Sequence, residues 1–348
     1  MDSISSDVDK ASQNGCCTVK INGGERVLSV DSGARLLEQL ALHEVFIPSA
    51  CGGRGRCGYC KVRVESSAPA PGKVEERILG ADEIAEGFRL ACQITVSGDI
   101  DISIPPEHLA IRRYRGRVLS KKMVTHDIVH LRIVLDKPAG MDFVAGQYAQ
   151  LESREYDGHA SVMRAFSICS LPEDKSHIEF LIRRVPNGIC TGWVFDHLRE
   201  GDEIGLSGPF GTFYLRSTNA PVLFIAGGSG MAPVWSMLRT MRDTGCKRAI
   251  RYFFGALTQA DLFFVEELQE LEREMDDFRF IPALSNEPEG SGWSGERGFI
   301  TDVVDRNVPD ASSHEAYLCG SPGMINACIK VLKKTGISED RIYYDKFA

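Results

Sequence analysis

The stretch Cys51-Gly-Gly-Arg-Gly-Arg-Cys57-Gly-Tyr-Cys60 carries the strongest structural signal in the sequence, and a fourth cysteine, Cys92, follows it. An iron–sulfur cluster with four thiolate ligands needs several of them in one tight loop, because the loop must wrap a compact inorganic core. Glycine permits positive φ angles and a close backbone approach, and the loop has glycines at positions 52, 53, 55 and 58. The pattern therefore predicts a [2Fe–2S] cluster held by Cys51, Cys57, Cys60 and Cys92.

Two other interpretations of these cysteines stay open. Structural zinc usually takes two C-x2-C pairs, and the loop contains one, Cys57-Gly-Tyr-Cys60. The four cysteines could also be unrelated to one another, as the scattered cysteines of the rest of the chain are. In a cytosolic protein, however, such grouping favours a metal site over disulfides.

The composition is that of a globular protein. Of the 348 residues, 25% are charged and 43% are hydrophobic, which excludes a mainly disordered chain; the length predicts two to three domains at about 150 residues each. The net charge of −8 argues against broad nucleic-acid binding. No apolar run approaches the roughly 18–20 residues that span a bilayer, and Met1–Asn14 is polar, unlike a signal peptide. We therefore expect a cytoplasmic protein with no membrane anchor and no nucleic-acid partner.

The first predicted domain covers residues 16–105. Two short strands flank an Asn22-Gly-Gly turn, which is a hairpin signal. Leucines at positions 36, 37 and 40 give a helical face that Asp31 or Ser32 could cap. Two later strands follow the cysteine loop, and Pro105-Pro106 ends the domain and starts a linker. The predicted strands are Thr18–Ile21, Arg26–Val30, Val62–Val64 and Ile100–Ile104.

The second predicted domain, residues 111–217, consists mostly of short strands broken by glycine and proline. Apolar residues alternate with polar ones from Val129 to Asp136, apart from Val134, as in a strand with one buried face. Many such strands favour a small antiparallel barrel. The predicted strands are Val129–Leu135, Gln147–Leu151, Ala165–Ile168, Ile178–Ile182 and Glu203–Ser207.

The third predicted domain, residues 218–348, alternates strands with helices, which favours a parallel sheet covered on both faces. The predicted strands are Val222–Ala226, Ile250–Gly255, Phe278–Ala283 and Ala316–Cys319. The predicted helices are Ala232–Arg242, Asp261–Glu274 and Pro322–Lys334.

Residues suited to a flavin pyrophosphate occur at three places in the second domain. Arg164-Ala-Phe-Ser167 and Ile182-Arg183 belong to predicted strand regions, and Gly188-Ile-Cys190-Thr191 opens a predicted short helix over Trp193–Leu198. An arginine, a glycine turn, a hydroxyl and a helix N-terminus together suit a pyrophosphate. Taken singly, a strand arginine is more often a surface residue.

The third domain offers a second phosphate-type turn. Gly227-Gly-Ser-Gly230 joins a buried strand to a helix that has Pro233 in its first turn. It lacks the lysine of a P-loop and the full Rossmann fingerprint, so an ordinary strand–helix turn is the alternative. Cys319-Gly320-Ser-Pro-Gly-Met324 follows another buried strand, and a core thiol is the alternative for Cys319.

Together these motifs resemble the ferredoxin–NADP reductase-like flavoproteins that carry an N-terminal [2Fe–2S] ferredoxin domain, as reductase components of oxygenases do. The resemblance covers nearly the whole chain. The cysteine loop resembles plant-type ferredoxins, but its longer first gap is similar to the F subunit of sodium-pumping NADH:quinone reductases and to adrenodoxin-type ferredoxins. The implied fold is multidomain α+β and α/β: a β-grasp ferredoxin domain, an antiparallel flavin-binding β-barrel and a parallel-sheet α/β nicotinamide-binding domain.

The resemblance also implies the roles of individual residues. Ser167 would hydrogen-bond the flavin N5, Arg164 and Thr191 would hold the pyrophosphate, Cys319 would lie beside the nicotinamide, and Phe347 would cover the flavin. Ser167, Cys319 and Phe347 are then the candidate catalytic residues. The candidate cofactor-binding residues are Arg164, Ala165, Phe166, Ser167, Ile182, Arg183, Gly188, Cys190, Thr191, Gly227, Gly228, Ser229, Gly230, Cys319, Gly320 and Phe347.

The function implied is that of an NADH:acceptor oxidoreductase with FAD and a [2Fe–2S] cluster, passing electrons to a partner protein such as an oxygenase component. By the same resemblance, NADPH-dependent members of the family have a Ser-Arg pair at the place where this sequence has Ser285-Asn-Glu287. Because an NADPH site needs a cation for the 2′-phosphate, NADH is expected over NADPH. One alternative is a soluble relative of the quinone-reductase F subunit, whose N-terminal membrane anchor has no counterpart in this sequence. Another is a redox carrier or sensor without catalysis. His126, His130 and His159 are expected to be surface histidines.

Overall fold

The computed structural model describes residues 15–49, 51–66, 70–109 and 111–347. The chain forms two compact units, the first made mainly of residues before Ile111 and the second of Ile111 onward. None of the described helices combines the length and the apolar character that crossing a bilayer requires.

The first unit is built on a five-stranded sheet. Parallel pairing joins β1 to β5, and the other pairs are antiparallel, so the predicted β-grasp fold is confirmed. The strands are β1 (Cys16–Ile21), β2 (Arg26–Asp31), β3 (Lys61–Val64), β4 (Phe88–Leu90) and β5 (Ile100–Ser103), in the order β2-β1-β5-β3-β4. The helices are α1 (Leu36–Leu42), α2 (Lys73–Ile78), α3 (Ala81–Ala85) and α4 (Pro106–Leu109).

Two details of the first unit differ from the prediction. Helix α1 has Arg35 at its N-cap position, so neither Asp31 nor Ser32 caps it; Asp31 is instead the last residue of β2. The segment after Pro105 is not an extended linker, because Pro106 opens α4. Proline is well tolerated there, since the first N–H groups of a helix have no partner within the helix.

The second unit begins with the predicted antiparallel barrel, which is confirmed. Its strands are β6 (Arg112–Met123), β7 (Ile128–Lys137), β8 (Tyr148–Glu152), β9 (Met163–Ser167), β10 (His177–Arg183) and β11 (Glu203–Phe210), in the order β10-β7-β6-β11-β8-β9. A bridge between Ile168 and Phe180 links the two ends of this order and nearly closes the barrel. Inward-facing residues of β7, among them Leu131 and Ile133, fill its core.

The helix predicted over Trp193–Leu198 differs in form. One α-helical turn, α5 (Ile189–Gly192), is followed by a π-helical turn from Trp193 to His197. Trp193 and Val194, at the start of this π-helical turn, are buried in the barrel core. Such π turns are rare and occur frequently at functional sites.

A six-stranded sheet follows, with every pair parallel. Its strands are β12 (Val222–Gly227), β13 (Ile250–Ala256), β14 (Phe278–Leu284), β15 (Glu296–Arg297), β16 (Glu315–Gly320) and β17 (Ile342–Lys346), in the order β15-β14-β13-β12-β16-β17. The helices are α6 (Met231–Asp243), α7 (Val265–Glu274), α8 (Ile300–Asn307) and α9 (Pro322–Lys334). Separate apolar clusters containing α6 and α7, or α8 and α9, cover the two faces, as predicted.

Helix α7 starts later than predicted. Residues Gln259–Asp261 form a separate 3-10 turn, in which the Asp261 carboxylate accepts hydrogen bonds from the N–H and hydroxyl of Thr258. Phe264 then takes a left-handed conformation with φ of 55°. The left-handed residue separates the 3-10 turn from α7, which begins at Val265.

Candidate functional site

The sheet of the first unit brings three of the predicted ligand cysteines together. Cys60 immediately precedes β3 and Cys92 closely follows β4, and these strands are antiparallel neighbours. The N–H of Ala91 donates to the Cys60 carbonyl at 2.8 Å. The Cys60 and Cys92 thiols are hydrogen-bonded to each other, and Cys57 is close enough to Cys60 to contribute to the rise in its pKa. Cys51, the remaining predicted ligand, is 7% exposed in the same loop.

Grouped cysteine thiols are the donor set that an iron–sulfur cluster requires. The hydrogen bond with Cys92, followed by burial, raises the pKa of the Cys60 thiol far above its usual value. Coordination to a metal ion overcomes this, because a coordinating thiol is deprotonated outright. A cluster of iron and sulfide held by thiolates is therefore compatible with buried thiols that would otherwise keep their protons.

The cysteine loop needs glycine at two positions because its backbone turns tightly there. Gly55 and Gly58 have φ angles of 65° and 74°, which residues with a side chain rarely adopt. A Cβ at Gly55 would lie 2.7 Å from Val74 Cγ1, and one at Gly58 would lie 2.8 Å from Ile78 Cγ2. The loop therefore packs its backbone directly against the segment that contains α2.

A buried ion pair fixes the strand that leads to Cys92. The Glu75 carboxylate on α2 receives hydrogen bonds from Arg89 Nε (2.8 Å), Arg89 Nη2 (2.7 Å) and the Leu90 N–H (2.9 Å). Burial alone raises the pKa of Glu75, but these partners outweigh it and hold the pKa below its ordinary value. The end of β4, and with it the approach to Cys92, is tied to α2.

The second unit contains a cavity of about 660 Å³, lined by residues of both the barrel and the parallel sheet. This lies within the usual range of about 300–1,000 Å³ for a small-molecule site. Most of the predicted flavin and nucleotide residues line it, although they come from distant parts of the chain. Those on the lining are Arg164, Ala165, Phe166, Ser167, Arg183, Gly188, Cys190, Thr191, Gly227, Gly228, Ser229 and Phe347.

Four predicted residues are not on this lining. Ile182 packs into the barrel core because it faces the opposite way from Arg183 on β10. Cys319 is 0% exposed within the core under α6, and burial raises its pKa well above its usual value. A Cβ at Gly230 would overlap the Cys319 carbonyl, and Gly320 has a φ of 147°. The structure thus places Ile182, Gly230, Cys319 and Gly320 behind the cavity wall.

The turn before α5 is held together by the hydroxyl of Thr191, a residue that lines the cavity. Thr191 Oγ1 lies 3.2 Å from the Val185 nitrogen and 3.3 Å from the Gly188 carbonyl oxygen. A Cβ at Gly188 would lie 2.5 Å from that hydroxyl, so only glycine fits. Burial raises the pKa of Cys190 to about 12 despite the nearby charge of Arg164. Cys190 is therefore a neutral part of the wall.

Arg183 bridges the two halves of the cavity. Its Nε donates to Asp127 Oδ2 at 2.6 Å, and its Nη1 lies 3.3 Å from where a Cβ of Gly228 would be. Gly228 belongs to the turn before α6, and helix N-termini attract phosphate groups. A guanidinium beside this turn adds a positive charge suited to a pyrophosphate.

Sequence reasoning missed several residues of the cavity wall. Asp127 lies in the turn between β6 and β7, where Thr125 Oγ1 bonds Asp127 Oδ1 at 3.0 Å. The Thr-His-Asp sequence at this point is a turn signal, but nothing local indicates that it faces a cavity. The other missed wall residues include Tyr148, Asp261 and Phe299.

Phe347 follows the last strand and lines the cavity. Its N–H donates to the Gly320 carbonyl at 3.0 Å, which extends the pairing of β16 with β17. The ring is partly buried against the core under α6. The end of the chain is thus held at the wall by backbone hydrogen bonds.

One of the three histidines expected on the surface, His130, is partly buried. His126 is 69% exposed, whereas the side chain of His130 is 20% exposed and its Nε2 lies 3.3 Å from Glu179 Oε2. His130 Nε2 or Nδ1, Cys169 Sγ and a Glu179 oxygen lie within 4.8 Å of one another. Two guanidinium groups, those of Arg132 and Arg239, also face Glu179. The cluster is thus an ion network within the second unit.

Comparison with known proteins agrees with this architecture. Residues 19–97 match the 2Fe-2S iron-sulfur cluster binding domain, residues 115–214 the oxidoreductase FAD-binding domain, and residues 224–330 the oxidoreductase NAD-binding domain. The three matches follow one another in the order that the motifs predicted.

Two relatives match across most of their length. The F subunit of the Na(+)-translocating NADH-quinone reductase of Neisseria meningitidis serogroup B is 32% identical over 97% of this chain and 93% of the relative. The reductase component of propane 2-monooxygenase from Rhodococcus jostii is 38% identical over 84% of this chain and 81% of the relative. The chain therefore belongs to the ferredoxin–NADP reductase-like flavoprotein oxidoreductases that carry a [2Fe–2S] ferredoxin domain.

Two solved structures resemble this chain over nearly its whole length. The Amycolatopsis cytochrome P450 reductase GcoB has a TM-score of 0.77 and 30% identity, covering 95% of this chain and 98% of its own. The ferredoxin reductase of carbazole 1,9a-dioxygenase has a TM-score of 0.73 and 25% identity, covering 96% of this chain and 99% of its own.

Proposed function

We propose that this reductase takes electrons from NADH and delivers them, through FAD and a [2Fe–2S] cluster, to a separate protein that is an oxygenase component. The observation that carries the proposal is the 660 Å³ cavity, which joins the phosphate-binding turns of the barrel and of the parallel sheet. The same chain carries a thiol set that suits a cluster. The propane monooxygenase reductase and the carbazole dioxygenase reductase support an oxygenase as the partner.

In this proposal, cluster binding, flavin binding and nucleotide binding are divided among three domains, at residues 16–105, 111–217 and 218–348. Cys51, Cys57, Cys60 and Cys92 would hold the cluster. Arg164 and Thr191 would hold the flavin pyrophosphate, Ser167 would bond the reacting edge of the flavin, and Phe347 would cover its face. When bound, FAD supplies the exchange between the two-electron chemistry of a nicotinamide and the one-electron chemistry of a cluster.

The remaining cavity residues would bind the nicotinamide nucleotide. Gly227, Gly228 and Ser229 would accept its phosphates, with Arg183 beside them. Gly230, Cys319 and Gly320 would act from behind the wall, where the lack of a side chain at Gly230 lets the turn approach the Cys319 carbonyl. Ile182 would hold Arg183 in place by anchoring β10 in the barrel core.

NADH is favoured over NADPH by the charge at the end of β14. The Glu287 carboxylate accepts hydrogen bonds from the Gln259 N–H (2.8 Å) and Nε2 (2.6 Å), and these bonds lower its pKa. An ionised carboxylate fixed at this place would repel the 2′-phosphate of NADPH, which binding sites usually meet with a cation.

A reducing compartment suits the cysteine content. The sequence has eleven cysteines, and four of them, Cys51, Cys57, Cys60 and Cys92, are the proposed cluster ligands. Disulfides are rare in the cytosol, where thiols are kept reduced. We therefore propose a cytoplasmic location.

A second candidate function has its own support. The match to the F subunit of the quinone reductase extends over 97% of this chain, more than the match to the propane monooxygenase reductase. In that case the acceptor would be another component of a redox complex. Co-purification of this chain with an oxygenase component, or with a membrane complex, separates the two.

Anaerobic mixing of the purified protein with NADH in a stopped-flow instrument tests the proposal. The flavin absorbance should bleach first, and the cluster absorbance should then fall. NADPH should bleach the flavin at least roughly tenfold more slowly than NADH, which corresponds to about 1.4 kcal/mol of discrimination. Absence of any NADH-dependent bleaching would contradict the proposal and favour a carrier or sensor. Zinc in place of iron would contradict the cluster.

A further inference from the structure

Gln93, which directly follows the predicted ligand Cys92, directs its side chain back at that cysteine. Its amide Nε2 lies 3.2 Å from Cys92 Sγ and 3.2 Å from the Cys92 carbonyl oxygen. We propose that Gln93 tunes the [2Fe–2S] cluster by donating a hydrogen bond to the Cys92 sulfur, which raises the reduction potential of the cluster. This inference rests on the proposed function, in which Cys92 is a cluster ligand.

The direction of the effect follows from charge. Reduction adds one electron to the cluster, and part of that negative charge resides on the ligand sulfurs. A hydrogen-bond donor at sulfur stabilises the more negative state more strongly than the less negative one. Hydrogen bonds to the sulfurs are among the factors that set the potentials of such clusters, and groups just outside the ligand set commonly tune a metal centre in this way.

The position of the amide is fixed by its surroundings. The Gln93 N–H donates to the Leu90 carbonyl at 2.7 Å, which forms a tight turn at the end of β4. A Cβ at Gly55 would lie 2.9 Å from Gln93 Nε2 and 2.7 Å from Val74 Cγ1. Gly55 therefore leaves the space into which the amide extends, from within the cysteine loop itself.

A purely structural role for the amide would act through the Cys92 carbonyl. That carbonyl has a second donor, because Arg35 Nη1 lies 3.1 Å from it. Replacing Gln93 therefore leaves the carbonyl with a partner, while the donor at the sulfur is lost. The expected consequence is a change in potential rather than a change in fold.

The test uses the full chain with its cofactors, in the variants Gln93→Leu and Gln93→Glu. Leucine removes the donor, and glutamate replaces it with a negative charge at nearly the same shape. The matched control is Gln39→Glu, since Gln39 lies in the same unit and its Oε1 accepts from the Asp31 N–H (3.1 Å), a role that glutamate keeps. The midpoint potential of the cluster is measured by redox titration, following the electron paramagnetic resonance signal of the reduced cluster.

We expect the potential to become more negative in Gln93→Leu and more negative still in Gln93→Glu, with no shift in Gln39→Glu. Equal potentials in all four proteins, at full iron and sulfide content, would overturn the inference and leave the proposed function intact. A wild-type protein without iron and sulfide would overturn both. If Gln93→Leu loses its cluster, the nearly isosteric Gln93→Glu decides: an unchanged potential refutes the inference.

A second measurement needs no variant. With the side-chain amides of glutamine labelled with ¹⁵N, pulsed electron paramagnetic resonance of the reduced wild-type protein should detect a nitrogen coupled to the cluster through the hydrogen bond. No such coupling would contradict the inference.

Discussion

Glu179 is a carboxylate in the interior of the second unit with three cationic or ionisable neighbours. Arg132 Nε lies 2.6 Å from its Oε1, His130 Nε2 lies 3.3 Å from its Oε2, and Arg239 Nη2 lies 3.9 Å away. Burial raises the pKa of Glu179, but the hydrogen bonds and charges of these neighbours outweigh burial and lower the pKa from 4.5 to about 2. The ionised form is thus stabilised by the fold.

This pKa predicts how stability depends on pH. Because the folded pKa lies below the unfolded value of 4.5, ionised Glu179 stabilises the fold above that pH, and its contribution is lost as pH falls toward 2. The contribution is at most about 3–4 kcal/mol. We expect Glu179→Gln to lower the free energy of unfolding at pH 7, and the difference from wild type to shrink on acidification.

Urea unfolding of both proteins between pH 7 and pH 3 measures this difference. The exposed Glu203 provides the control, since Glu203→Gln should change stability little at any pH. A difference between wild type and Glu179→Gln that stays constant across the range would contradict the assignment.

Individual site residues were predictable where a local motif carried them. Arg164 belongs to a strand motif, and the glycine turns at Gly188 and Gly227 each precede a helical turn; all three residues line the cavity. Asp127 and Phe299 line it too, but the sequence analysis identified no binding motif at either residue. Their position depends on how distant turns meet after folding, which local periodicity does not encode.

At the scale of elements, β6 positions the helical segment that borders the barrel side of the cavity. Lys121 on this strand donates hydrogen bonds to the carbonyls of Val194 (3.0 Å), Phe195 (3.1 Å) and Leu198 (2.7 Å). These carbonyls lie at the C-terminal end of the helical segment that begins with α5, where a positive charge is favourable. The other end of the segment presents Thr191 to the cavity.

Lys121→Met should therefore weaken FAD binding. Hydrogen bonds that involve a charged group contribute about 1.5–3 kcal/mol each, and if about 1.4 kcal/mol of this reaches the FAD site, the Kd for FAD rises about tenfold. Titration of the apoprotein with FAD measures the Kd directly. The exposed neighbour Lys122 gives the control variant Lys122→Met. Equal Kd values for the two variants would show that Lys121 does not position this helix.

The elements that sequence predicted well are those with an unambiguous apolar pattern. The run Val222–Ala226 is continuous and apolar, and it became β12 with one added residue. The helix predicted over Pro322–Lys334 has the same bounds as α9. By contrast, β6 was not predicted, because its outward face is rich in arginine and lysine and only Tyr114, Gly116 and Val118 face inward.

At the scale of the whole molecule, each of the two units has its own hydrophobic core. The first unit is centred on residues such as Val19 and Leu90, and the second has a core in the barrel and one on each face of the parallel sheet. The order of the three domains followed from motifs alone, since each motif belongs to one domain. The short helix after Pro105 did not, because a proline pair predicts an extended linker and Pro106 instead opens α4.

Separate cores predict that a chain beginning at Ile111 folds without the first unit. It should bind FAD and oxidise NADH with ferricyanide, which can take electrons from a flavin. The matched control is the full chain with Cys57→Ser and Cys60→Ser, which should lack the cluster while keeping the first unit.

The most direct test of the electron path is the steady-state rate of cytochrome c reduction by NADH, measured for the intact chain, the chain beginning at Ile111 and the double serine variant. We expect all three proteins to reduce ferricyanide at similar rates and only the intact chain to reduce cytochrome c efficiently, because the cluster is the exit for single electrons. Cytochrome c reduction by the shortened chain at the rate of the intact chain would contradict a path from FAD through the cluster to the acceptor.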